Sequence, residues 1–208
     1  PLYSSAASDV YKRQPHNADG LLELADKNNQ ISVLPLDVGI YEEVENLAET
    51  IKASPIDILI NNAGIWRSST LGSINRQAWL ESFTINSIAP YEVTQALLPN
   101  IKKGSLKKVV SITSKMGSID DNTSGSSYIY RSSKSALNMV MRSLQHDLSS
   151  YGIATLTLHP GWVQTDMGGM NALINDEQSV SGMINVIDKL NIENTGRFID
   201  YDGKPISW

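Results

Sequence analysis

The sequence predicts an α/β protein: a parallel sheet covered by helices on both faces. Helical and strand patterns alternate from Ala18 onward with short connections, which suits crossover units better than hairpins. The run "IDILINN" at 56–62 is almost continuously apolar, as a strand buried on both faces must be. In such sheets ligands bind outside the carboxyl ends of the strands, and Asp37, Asn62, Ser114 and Gly161 each follow a predicted strand on that edge.

"ADGLLELADK" at 18–27 reads as a short amphipathic helix and "ISVLPLDV" at 31–38 as a strand ending in a polar residue. In "YEEVENLAETIKA" at 41–53, Val44, Leu47, Ala48 and Ile51 form the apolar stripe of a helix packed on a sheet. After "IDILINN" a long helix is predicted from Arg76 to Ile101, then the strand "KKVVSIT" at 107–113. A helix over Tyr128–Ser150 carries Leu137, Val140, Met141, Leu144 and Leu148 on one side. "IATLTLHP" at 153–160 is a strand, 175–190 is helical, and "GRFIDYDG" at 196–203 closes the sheet.

A chain of 208 residues, 41% hydrophobic and 19% charged, has the length and apolar content for one domain with a full core. A net charge of -5 argues against nucleic acid and anionic membrane as partners. No apolar run is long enough to span a bilayer and no signal-peptide order opens the chain, so a cytoplasmic protein is expected. There is no cysteine, and His16, His146 and His159 lack ligand spacing, so no metal site is expected. Residues 1–14, "PLYSSAASDVYKRQ", show neither strand nor helix periodicity, and "DVYKRQ" resembles the translation of a transposon-end adapter used in sequencing libraries. They are expected to be a non-native leader, with 15–208 forming the domain proper.

Tyr130 and Lys134 stand four residues apart in "YIYRSSKSAL", on one face of the predicted helix. A phenol of pKa near ~10 is a poor acid or base at neutral pH, and an ammonium one turn away stabilises its phenolate. That pair keeps company, in one order, with "ILINNAGI" at 58–65, "FTINSIAPY" at 83–91, "VVSITSKMG" at 109–117 and "HPGWVQTDMGG" at 159–169. Together these motifs resemble the short-chain dehydrogenase/reductase family, more narrowly its carbonyl-reductase branch with the C-factor-like proteins, from Pro15 to Trp208.

The resemblance implies a Rossmann-like, doubly wound parallel sheet, here without its first two strands and its TGxxxGxG turn, joining the family pattern after the second strand. It implies oxidoreductase chemistry: hydride transfer between NADP, with NAD the alternative, and a small carbonyl or alcohol substrate. Ser114, the second residue of "TS", would donate to the substrate oxygen, Tyr130 would move the proton, and Lys134 would hold ribose hydroxyls while lowering the Tyr130 pKa. Asn86 would hold a water linking Lys134 to solvent; Pro90 removes the i+4 donor from its carbonyl, at about 3 kcal/mol in a helix interior. A bend for packing alone is the other reading.

By the same resemblance Asp37 and Val38 meet the adenine, although a helix N-cap is the plain alternative for Asp37. Asn62, Ala63 and Gly64 lie along the ribose, or form a simple turn, while Asn61 is structural. Pro160, Gly161, Val163 and Thr165 of "PGWVQT" reach the nicotinamide. Trp162, Met167 and Met170 are pocket walls or core, His159 is structural, and the polar loop "DDNTSGSS" at 120–127 either rims the pocket or is plain surface loop. Family members pair the long helices, here 76–101 and 128–150, in a homodimer. Two other functions are weighed: a C-factor-like dinucleotide-binding signalling protein, and a serine hydrolase, for which no GxSxG elbow is present. The chain as it stands is expected to bind no dinucleotide and to be inactive, because the phosphate cradle at a helix N-terminus is missing.

Overall fold

The computed structural model describes residues 8–12, 19–52 and 54–208, which form two compact units divided at Thr50 and Ile51. The first holds β1 (Ser8–Lys12), α1 (Asp19–Lys27), β2 (Ile31–Pro35) and α2 (Tyr41–Thr50). β1 and β2 pair in parallel, with Val10 opposite Val33. The sequence pattern of residues 1–14 predicts no regular element, and the structure differs. The main chain of β2 offers a row of unpaired groups, and an extended segment carrying Val10 and Tyr11 satisfies them without needing a periodic pattern. α2 buries Val44 and Leu47 of its stripe. Asp37 accepts the Gly39 N–H at 2.9 Å in the turn before α2, and its own N–H donates to Glu43 at 2.6 Å.

The second unit is a four-stranded, wholly parallel sheet in the order β3 (Ile58–Asn61), β4 (Lys108–Ile112), β5 (Ala154–His159), β6 (Arg197–Asp200). Alternation along β4 sends successive side chains to opposite faces. Val110 joins Leu156, Leu158 and Ile199 in the apolar cluster under α7 (Asp176–Asp188), while Ser111 reaches Met141 on α6 (Tyr128–Ser149). Helices therefore cover both faces. α6 buries Leu137, Met141, Leu144 and Leu148, the side read from the sequence, with Val140 half-buried. α7 starts on a capping box in which Asn175 and Gln178 satisfy each other's backbone N–H groups. Its C-terminal carbonyls of Ile187 and Asp188 accept from the buried Lys108 ammonium of β4, as a cation at that end of a helix should.

The single helix predicted over 76–101 is three: α3 (Arg76–Phe83), a π-turn at Thr84–Ile88, then α4 (Ala89–Ala96) and α5 (Leu98–Lys103). Proline explains both interruptions. Pro90 has no N–H to give, and just before it the ladder widens so that the Ala89 N–H bonds to the Thr84 carbonyl five residues back. Pro99 sits in the first turn of α5, directly after Leu97 departs from helical geometry.

Candidate active site

β4 ends at Ile112, and two residues on Ser114 caps a single 3-10 turn, Lys115–Gly117, by accepting the Met116 N–H at 3.1 Å. The neighbouring hydroxyls are committed elsewhere: Ser111 to Met141 at 3.0 Å and Thr113 to Asn138 at 2.7 Å. Ser114 is the hydroxyl of this group close enough to Tyr130 to favour its phenolate.

Tyr130 lies one turn into α6, and the helix entry is held unusually firmly. Ser126 and Ser127 both adopt left-handed backbone angles, φ 57° and 49°, a region that disfavours residues with a side chain. The Ser69 carbonyl accepts the Ser127 N–H at 2.9 Å and the Ser69 hydroxyl accepts the Ile129 N–H at 3.0 Å, over-determining that turn. Tyr130 is 8% exposed. Burial pushes its phenol above the ordinary value, and the Ser114 hydroxyl works the other way.

Lys134, 4% exposed, follows one turn later on the same face. Its ammonium donates to the Ile112 carbonyl at 3.0 Å and lies 5.9 Å from the centre of the Tyr130 ring. Desolvation pulls the lysine itself down to about 8, and Ser114 is the group opposing the rise at Tyr130.

Asn86 lies in the π-turn, fully buried. Its side-chain oxygen accepts the Ile65 N–H at 2.8 Å, and its amide donates to the Ile65 carbonyl and to Ser133, both at 2.9 Å. Asn61 spans β3, β4 and α4 by donating toward Ser111, Thr94 and the Pro90 carbonyl. Asn62 and Ala63 are exposed just beyond β3. Gly64 stands over the polar cluster, where a Cβ would come within 3.4 Å of both the Asn86 oxygen and the Lys134 nitrogen. The structure thus brings Asn86, Gly64, Ser114, Tyr130 and Lys134 together at the carboxyl edge of the sheet.

Pro160 and Gly161 follow β5 on the same edge, Val163 bridges to Ile174, and the Thr165 hydroxyl accepts the Gly168 N–H at 3.1 Å. Trp162, Met167 and Met170 are 50%, 51% and 89% exposed, which rules out the core-packing alternative for them. His159 keeps one ring nitrogen buried without a hydrogen-bond partner, and burial lowers its pKa. Asp37 and Val38 belong to the first unit. A groove of about 660 Å³ beside α7 and β6, bounded by Asn185, Arg197 and Tyr201 among others, contains none of these residues. It is not the site of the chemistry.

Two residues of the site escape sequence reasoning. Trp66 sets its ring 4.7 Å from that of Tyr130, tilted by 55°; nothing local in "GIWRSS" signals a partner 64 positions away. Gly117 backs the lysine, since a Cβ there would sit 2.9 to 3.1 Å from the Lys134 carbonyl carbon, Cβ and oxygen. Those are rigid atoms of α6. Gly117→Ala is expected to destabilise the fold by roughly 1–3 kcal/mol and to lower turnover by shifting Lys134. Thermal melting and a rate assay on the same preparation check this, and a variant matching the parent in both would contradict it.

A family model described as short chain dehydrogenase matches residues 6–174. C-signal of Myxococcus xanthus is 48% identical over 164 residues, 77% of this chain and 98% of that protein. The 1-hydroxy-2-glutathionyl-2-methyl-3-butene dehydrogenase of Rhodococcus sp. (strain AD45) is 38% identical over 185 residues, 86% of this chain and 81% of that one. The NADPH-bound carbonyl reductase from chicken fatty liver superposes with a TM-score of 0.91 at 34% identity, covering 96% of this chain and 87% of that one. Parallel α/β architecture, ordered motifs and converging side chains agree with these likenesses: the chain belongs to the short chain dehydrogenase family.

Proposed function

We propose that the protein is a carbonyl reductase using NADP(H), with NAD(H) the lesser alternative, on a small carbonyl or alcohol substrate. The observation that carries this reading is the convergence of Ser114, Tyr130 and Lys134 at the carboxyl edge of the sheet, with Asn86 behind them. The NADPH bound to the chicken relative supports the choice of cofactor.

The second unit fits a dinucleotide where Gly64 leaves the space that a Cβ would narrow between Asn86 and Lys134. Asn62, Ala63, Gly64 and Lys134 would line the ribose, and Pro160, Gly161, Val163 and Thr165 the nicotinamide. When bound, the nicotinamide supplies the hydride. Ser114 donates a hydrogen bond to the carbonyl oxygen, steadying the charge that develops there. Tyr130 gives that oxygen its proton. A phenol raised by burial stays protonated through the neutral range, which suits an acid and therefore the reductive direction. Lys134, charged or neutral near pH 8, is poised to return a proton, and Asn86 holds the backbone at Ile65 beside it.

NADPH consumption with a panel of aldehydes and ketones, measured on a version of the protein supplied with a glycine-rich phosphate cradle, tests the assignment; no reduction of any member by that version overturns it. The phosphate cradle is the part the sequence does not supply. No TGxxxGxG occurs in the 208 residues, and residues 13–18, between β1 and α1, contain no glycine. Cofactor affinity and turnover of this polypeptide are therefore expected to be low, with millimolar NADPH raising the melting temperature by less than about 1 °C. A shift of several degrees would contradict that.

The 48% identity to C-signal favours a second reading, a dinucleotide-binding signalling protein. NADPH binding without reduction of any carbonyl compound would select it. For the reductase we further propose a homodimer built on α3, α4 and α6, supported by the exposed Leu80, Tyr91 and Met139 on those helices. Among the described residues no helix is long and apolar enough to cross a membrane.

A further inference from the structure

Trp66 is 37% exposed while the Tyr130 ring it covers is only 8% exposed. The indole therefore lies between the phenol and solvent along one side of that ring, with over a third of its own surface still open. Its position is not left to chance. Immediately before it, both main-chain polar groups of Ile65 are held by the buried Asn86 amide. Immediately after it, Arg67 forms a forked pair with Glu81 at 3.1 to 3.2 Å, and also donates to the Trp66 carbonyl at 3.2 Å. Further along, Ser69 is tied to the start of α6 through Ser127 and Ile129. A side chain serving only as surface cover needs no such clamping on both flanks.

An indole presents a wide, electron-rich face that stacks on planar conjugated groups in offset or tilted geometry, beyond what area alone would contribute. A carbonyl oxygen directed at the Tyr130 hydroxyl brings its own substituent near the side chains packed on that ring, of which Trp66 is one. We infer that Trp66 is a specificity-determining residue whose open face selects carbonyl compounds carrying an aromatic ring. This rests on the reductase reading for its meaning, but the contact itself can be read without turnover.

Acetophenone and 1-cyclohexylethanone have matched size and the same ketone, and differ in whether the ring is aromatic. Ligand-observed NMR titration of the full 208-residue chain with each ketone measures the preference directly. The parent is expected to bind acetophenone about 3- to 12-fold more tightly. Trp66→Ala should reduce that ratio to about 2 or less, and Trp66→Phe should keep most of it, since a smaller aromatic face remains. Trp66→Leu separates aromatic from merely apolar character and should behave like the alanine variant. Equal affinity of the parent for the two ketones, equal weakening of both in Trp66→Ala, or a preference that survives in Trp66→Leu overturns the inference. Failure of the reductase reading looks different: no NADPH consumption with any carbonyl compound by a version supplied with a phosphate cradle, whatever the binding ratio.

Discussion

In a version of the protein complete with its phosphate cradle, Tyr130→Phe lowers NADPH-dependent carbonyl reduction by ~10²-fold or more, with the loss in kcat rather than in KM. The phenol is the one acidic group placed beside the Ser114 hydroxyl, and its removal leaves the oxygen of the substrate without a proton donor in a site that is largely buried. Phenylalanine keeps the ring against Trp66, so the fold should lose no more than the single polar contact with Ser114, about 1 kcal/mol. Steady-state rates and a melt on the same variant check the pair of outcomes. Near-normal rates would remove Tyr130 from the mechanism, and a collapsed melt would make the rate uninterpretable as chemistry. Ser114→Ala, which leaves the acid in place, should be the milder change.

Lys134→Met should stabilise the protein at neutral pH while lowering its turnover. The lysine is depressed to about 8 in the folded chain, against its ordinary 10.5 when unfolded. Between those values the unfolded chain holds a proton that the folded chain has released, so this group makes stability rise with pH across that window. Below pH 8 the folded state carries a buried charge throughout, a burden of order 3 kcal/mol. Methionine removes the charge but leaves the Ile112 carbonyl without its donor, which offsets roughly 1 kcal/mol. A net gain of about 2 kcal/mol is expected at pH 7, shrinking toward zero or reversing as pH approaches 10.5. Denaturant melts of parent and variant across that range measure the difference directly. A constant gap between the two proteins at all pH values would show that Lys134 does not titrate as described.

Most elements of this chain were legible because their signals are local. The apolar alternation or continuity of β3 to β6, the stripe on α6 and the helical pattern of α7 each follow from main-chain geometry over a few turns. The convergence at the sheet edge was legible too, since parallel strands deliver their carboxyl ends to one side. The helix over 76–101 was read with the wrong continuity. Pro90 marked a disturbance, but whether the chain kinks, breaks or widens into a π-turn depends on what holds the freed groups, and here Asn86 anchors Ile65 and Ser133 across the fold. β1 was missed for a related reason: a short strand is made by its neighbour's unpaired edge as much as by its own pattern.

The chemistry divides in the same way. That a phenol and an amine share a helix face follows from their spacing alone, as does the placing of a serine at the end of a strand. What Lys134 does to Tyr130 does not. Sequence spacing suggests an ammonium lowering a phenol, whereas burial raises Tyr130 and depresses the lysine, because solvation depends on everything packed around a group. Trp66 and Gly117 belong to the site only through contacts made after folding, the first across 64 residues and the second through the close approach of a turn to α6. The sequence by itself determined the fold class, the order of the elements from β2 onward apart from the breaks within 76–101, and the spacing that puts Tyr130 and Lys134 on one helix face with Ser114 at a strand end. Only the tertiary structure decided their protonation, their shielding and the shape of the space beside them, because those quantities depend on long-range packing that no local pattern encodes.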